Sequence, residues 1–158
     1  MSFEKENTEV LLLLSVFQKH KVDYLIVGGF AVNRYGYSRA TGDLDLYLRD
    51  TKRNRKNLIE AIDEMGYGRY NMLMDTPIIA GYCEIMMDDG MYADLMTDIP
   101  GLDKTKYDEY LSMATVDVVQ GFEIRFLHYN HLLENKRATN RPKDRLDVEE
   151  LERINKKD

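Results

Sequence analysis

Apolar positions recur along the chain with two periods, and the switches between them divide it into elements. Val10, Leu11, Leu14 and Phe17 form a broad apolar face at helical spacing, so a first helix is expected from Asn7 or Thr8, either able to cap it. The run DYLIV (Asp23–Val27) reads as a short buried strand that leads straight into Gly28-Gly29. Phe30 to Tyr35 then reads as a brief helix closed near Gly36. In RATGDLDLYLR (Arg39–Arg49), Leu44, Leu46 and Leu48 alternate against Asp43, Asp45 and Tyr47, which is the period of a strand. Leu58, Ile59, Ile62 and Met65 return to helical spacing and stop at Gly66. Residues 67–83, rich in Met and Tyr and punctuated by Pro77 and Gly81, fit either strand or loop.

Further on, Glu84 to Met87 and Met91 to Thr97 flank Asp88-Asp89-Gly90, a strong hairpin signal. Strands are expected near Ala114 to Val119 and Phe122 to Phe126, joined at Gln120-Gly121. Two helices close the chain, around Tyr129 to Asn135 and from Pro142 onward, where proline suits a first helical turn. The order of elements predicts an α+β domain with a mixed β-sheet flanked by helices. At 158 residues it fits a single domain with a real core.

Composition narrows the classes. With 44% apolar and 32% charged residues the chain is globular, and Val10–Leu14 is far short of the ~20 apolar residues of a membrane-spanning helix. No apolar leader is visible in MSFEKENTEV, and one cysteine, Cys83, cannot form an internal disulfide; both fit a reducing cytoplasm. A net charge of −6 argues against indiscriminate coating of nucleic acid. It leaves room for local basic sites, and two clusters stand out: Lys52, Arg53, Arg55 and Lys56, then Lys136, Arg137, Arg141, Lys143 and Arg145.

The candidate chemistry lies in the Asp-bearing strand. Residues two apart on a strand point the same way, so Asp43 and Asp45 project from one face, their Cα atoms about 7 Å apart. Alone, such a pair describes the charged face of an edge strand. Three neighbours change that reading. Gly28-Gly29 sits at a strand-to-helix junction, where backbone amides can approach a phosphate. Arg39 and Thr41 precede the pair and could reach an anion held there. Asp94 interrupts the otherwise mostly apolar strand Met91–Thr97, where a lone carboxylate needs a partner. Three acidic groups on adjacent strands would offset their repulsion by binding divalent cations.

Gly28-Gly29, a thirteen-residue spacer, Asp43-Leu-Asp45 and a later strand Asp94 together resemble the nucleotidyltransferase superfamily of DNA polymerase β type. The string LIVGGFAVNRYGYSRATGDLDLYL is similar to small bacterial nucleotidyltransferases related to antibiotic nucleotidyltransferases and AbiEii-type toxins. The tail LLENKRATNRPKDRLDVEEL also resembles the end of such domains. One departure is Tyr35-Gly36, where many relatives read His-Gly. The resemblance implies a nucleotidyltransferase (polymerase β palm-like) fold and transfer of a nucleoside monophosphate from an NTP to a hydroxyl through two Mg²⁺ or Mn²⁺ ions. By correspondence Asp43, Asp45 and Asp94 are the catalytic and metal-binding carboxylates, Asp94 also taking the acceptor proton. Gly28 and Gly29 would present amides to the phosphates. Arg39, Lys136 and Lys143 would neutralise the triphosphate or, equally, be solvated surface residues. The acceptor is either a small molecule or RNA, as in toxin-like relatives that modify tRNA. A non-catalytic nucleotide- or partner-binding module of the same fold is the alternative, and a second copy or a partner chain could complete the site.

Other features have simpler readings. His128 and His131 share metal-ligand spacing, which a helix start explains as well. Cys83 reads as a small core residue, and most Met and Tyr side chains as packing, with a base-stacking surface as a further use. Lys52 to Lys56 reads as a solvated loop and first helical turn, which a nucleic-acid acceptor could also use. Asp88 and Asp89 belong to their turn.

Overall fold

A computed structural model describes residues 7–156. The N-terminal residues 1–6, read above for the lack of a leader, lie outside the described residues. In chain order the elements are α1 (Thr8–Lys19), β1 (Tyr24–Val27), α2 (Gly28–Arg34), β2 (Leu44–Leu48), α3 (Lys52–Glu64), β3 (Glu84–Met86) and β4 (Tyr92–Met96). They continue with α4 (Tyr107–Ser112), β5 (Thr115–Val119), β6 (Phe122–Phe126), α5 (Tyr129–Thr139) and α6 (Pro142–Asn155). Among the described residues no helix is long and apolar enough to cross a membrane.

The strands form one sheet in the order β3-β4-β2-β1-β6-β5. β2 runs antiparallel to β1 and parallel to β4; β1 runs parallel to β6, so the sheet is mixed. β2 is therefore an interior strand, in keeping with the reading that its aspartates are not the charged face of an edge. All four residues of β1 are buried, as expected of a strand covered on both faces. Tyr47 departs from simple alternation: it shares a face with Asp45 yet is fully buried. The ring of Tyr107 packs edge-on against it and the Tyr107 hydroxyl donates to the Tyr47 carbonyl at 2.8 Å. One end of this face is thus covered by α4, while the Asp45 end opens into a cleft.

Local chemistry accounts for the other elements. Thr51 caps α3 by accepting the Asn54 amide, and His128 caps α5 by accepting the Asn130 amide at Nδ1, which explains that histidine without a metal. Glu9 accepts the amides of Asp88 and Asp89, pinning the hairpin turn to α1. Residues 71–74 form a 3₁₀ turn in the segment the pattern left open. Arg55 corrects the reading of its cluster as solvated. Half-buried, it pairs with Asp50 and donates to the carbonyls of Leu73 and Thr76, so it anchors that segment. Cys83 is half-buried against the core.

Candidate active site

The register places the carboxylates together. Asp45 on β2 is the direct partner of Asp94 on β4, and Asp94 is in turn the partner of Glu84 on β3, so all three stand on one face of adjacent strands. Asp43 precedes β2 and is exposed. Asp43, Asp45 and Asp94 line one cleft of about 810 Å³ together with Gly28, Gly29, Arg39, Lys136 and Lys143. Every residue singled out in the sequence for the site is therefore brought to the same cavity. Arg141 and Thr41 line it too.

The glycines have a steric reason. Gly28 has φ +65°, and a Cβ there would lie 2.0 Å from Asp45 Oδ2; a Cβ on Gly29 would lie 2.3 Å from Thr41 Oγ1. The carboxylate and the threonine hydroxyl lie directly on the Gly-Gly backbone. Burial, then the charge of Asp94, then that of Asp43 push the Asp45 carboxyl up to about 7, with Lys136 and Lys143 opposing. Burial also raises Asp94, aided by Glu84 and Asp43, while the Gly81 amide opposes by donating to both its oxygens at 2.9 and 3.1 Å.

Among the described residues the Asp45 carboxylate makes neither a hydrogen bond nor an ion pair, although it is partly buried and flanked by like charges. Hard oxygen donors under mutual repulsion fit a divalent cation such as Mg²⁺ or Mn²⁺. No three Asp, Glu, His or Cys side chains are already drawn into a ligand cage among the described residues.

The opposite wall is a charge network with a buried centre of Lys136, Asp144 and Asp147. Lys136 is 4% exposed, which excludes a solvated surface role; its Nζ lies 2.9 Å from Asp147 Oδ2 and 3.3 Å from Asp144 Oδ1. Arg39 makes a two-pronged contact with Asp147 at 2.8 and 2.9 Å. Arg141 pairs with Asp144 at 2.6 Å, and the same carboxylate accepts the Arg141 amide at the start of α6. Burial favours the neutral acid at Asp144, but the hydrogen bonds from Arg141 and the charge of Lys136 outweigh it and hold the carboxyl far below its ordinary range. Lys143 stays exposed at the rim. Asp144 and Asp147 were missed in the sequence. The available signal was their spacing with Leu151, which puts two acids on the buried stripe of α6, where a helix expects apolar residues.

A mixed sheet with carboxylates on two parallel neighbours, facing a Gly-Gly junction and a basic helix pair, is the nucleotidyltransferase fold. Solved structures bear this out. The lincosamide antibiotic adenylyltransferase LnuA, lincomycin-bound, aligns with a TM-score of 0.60 at 16% identity, over 94% of this chain and 97% of that one. ANT(2")-Ia in complex with adenylyl-2"-tobramycin aligns at 0.56 and 17% identity, over 91% and 85%. An antigenic nucleotidyltransferase-like protein from Paracoccidioides brasiliensis aligns at 0.51 and 15% identity, over 95% and 76%. The chain belongs to the family described as "Nucleotidyl transferase of unknown function (DUF2204)", whose model matches residues 6–158. Among curated protein sequences none matches it.

Proposed function

We propose that this nucleotidyltransferase moves a nucleoside monophosphate from an NTP to the hydroxyl of an acceptor, releasing pyrophosphate. The observation that carries the reading is the polarity of the cleft. Asp43, Asp45 and Asp94 stand on the sheet side, and Lys136, Arg39, Arg141 and Lys143 on the helical side. Asp43, Asp45 and Asp94 would hold divalent metal, Mg²⁺ or Mn²⁺, which when bound offsets phosphate charge and acidifies the acceptor hydroxyl. Gly28 and Gly29, packed without Cβ atoms against Asp45 and Thr41, would present backbone amides to the phosphates. Lys136 and Arg39, held in place by Asp144 and Asp147, offer positive charge to the triphosphate. Asp94, oriented by the Gly81 amide, takes the acceptor proton as the acceptor oxygen bonds to the α-phosphorus. The bond from that phosphorus to the β-phosphate oxygen breaks, and pyrophosphate leaves. Two neighbours, one a lincosamide antibiotic adenylyltransferase and one holding adenylyl-2"-tobramycin, support adenylyl transfer as chemistry this fold can host. Calorimetric titration of the four NTPs with and without Mg²⁺ tests the reading. Metal-dependent binding of at least one NTP is expected, and no binding of any would overturn it.

A further inference from the structure

Residues 67–83, which the sequence pattern left open, border the cleft beside Asp94. The Gly81 amide grips Asp94, Ala80 lines the cleft, and the Cys83 carbonyl accepts the Leu95 amide, so residues 80–83 run alongside β4. Next to this contact the surface is apolar. Tyr82 is 85% exposed, Ile79 53% and Met86 61%. Met86 and Tyr92 are register partners on the face that also carries Asp94 and Glu84, so the apolar surface is continuous with the proposed proton acceptor. Ile79 and Tyr82 flank Ala80 and Gly81 in a turn closed by the Tyr82 amide donating to the Ile79 carbonyl at 3.0 Å, so large exposed side chains adjoin the Asp94 contact, as on a binding surface.

Charge decides what it binds. Residues 71–103 contain seven Asp and Glu and no Lys, Arg or His, so this segment carries the chain's whole acidic excess. The cations of the cleft lie on the far wall, around α5 and α6. A polynucleotide laid across Asp94 would bring its phosphates over a surface with no counter-charge. We infer that Tyr82, Ile79 and Met86 form an acceptor subsite for a small hydroxyl compound with an apolar or aromatic body and no negative charge. On this inference RNA is not the acceptor. This inference rests on the transferase reading above.

The test incubates the protein with Mg²⁺ and α-³²P-labelled NTP, and with either total RNA or the small-molecule fraction of an extract of the expressing cells. Label should enter a small-molecule product retained on a reverse-phase column. Tyr82→Ser and Ile79→Ser should each raise the half-saturating amount of that fraction about fivefold or more, with half-saturation by NTP unchanged. Because both side chains are exposed, neither variant should lower the melting temperature. Label entering RNA, or wild-type acceptor saturation in both variants, would overturn the inference while leaving the transferase intact. Nucleotide binding with no label transferred to either pool would remove both.

Discussion

Removing the charge of Asp45 should stabilise the metal-free protein, and only above acidic pH. Folding raises this carboxyl from its ordinary value near 4 to about 7, through burial first and then the charges of Asp94 and Asp43. Between those values the folded state keeps a proton that the unfolded state has released. Stability is therefore complete below about pH 4 and declines as pH rises through about 7. At about 1.4 kcal/mol for each pKa unit, the upper bound on the loss is about 4 kcal/mol. Hydration of the open cleft and movement of the carboxylates bring the expected value to about 2 kcal/mol. Asp45→Asn keeps the shape and abolishes the titration. Urea denaturation in EDTA at half-unit steps from pH 4 to 8 should give wild-type and variant curves that diverge with pH, the variant gaining about 2 kcal/mol by pH 8 on this ledger. Added Mg²⁺ should close the gap by stabilising wild type alone. Parallel curves across the range would refute the reasoning, since they would mean that Asp45 titrates alike in both states.

Asp94→Asn should retain most Mg²⁺–NTP affinity yet lose transfer by about 100-fold or more, measured by calorimetry and turnover on one preparation; equal losses would mean that Asp94 also holds the nucleotide. Asp147→Asn leaves Arg39 and the buried Lys136 without their shared anion and should cost about 3–5 kcal/mol in urea denaturation; a loss under about 1 kcal/mol would mean that Asp144 suffices for both. Gly28→Ala must displace the Asp45 carboxylate and adopt φ +65°, so Mg²⁺–NTP affinity should fall about tenfold or more by calorimetry; unchanged affinity would show that the carboxylate moves aside freely.

Much of this protein was legible in one dimension, because the readable features are local. Helical spacing in Val10–Phe17 and Leu58–Met65, the turns at Gly90 and Gly121, and Pro142 at a helix start depend on neighbours a few residues away, and each produced the expected element. Gly28-Gly29 with Asp43-Leu-Asp45 was legible for the same reason: a strand, a tight junction and a second strand lie in one short stretch. Strand order was not local. Only the folded sheet makes β2 interior and sets Asp45 beside Asp94, some fifty residues away in sequence. Only tertiary packing decides that Tyr47 is covered by Tyr107 while Asp45, on the same face, meets the cleft. The Arg39–Asp147–Lys136–Asp144–Arg141 network joins the loop after α2 to α5 and α6. In sequence its members are merely charged residues. In the fold Lys136, Asp144 and Asp147 are ions whose burial depends on one another and on the flanking Arg39 and Arg141, because a charge leaves water at tolerable cost only beside its counter-charge. That pairing is a property of three-dimensional proximity, and the pattern along the chain does not contain it.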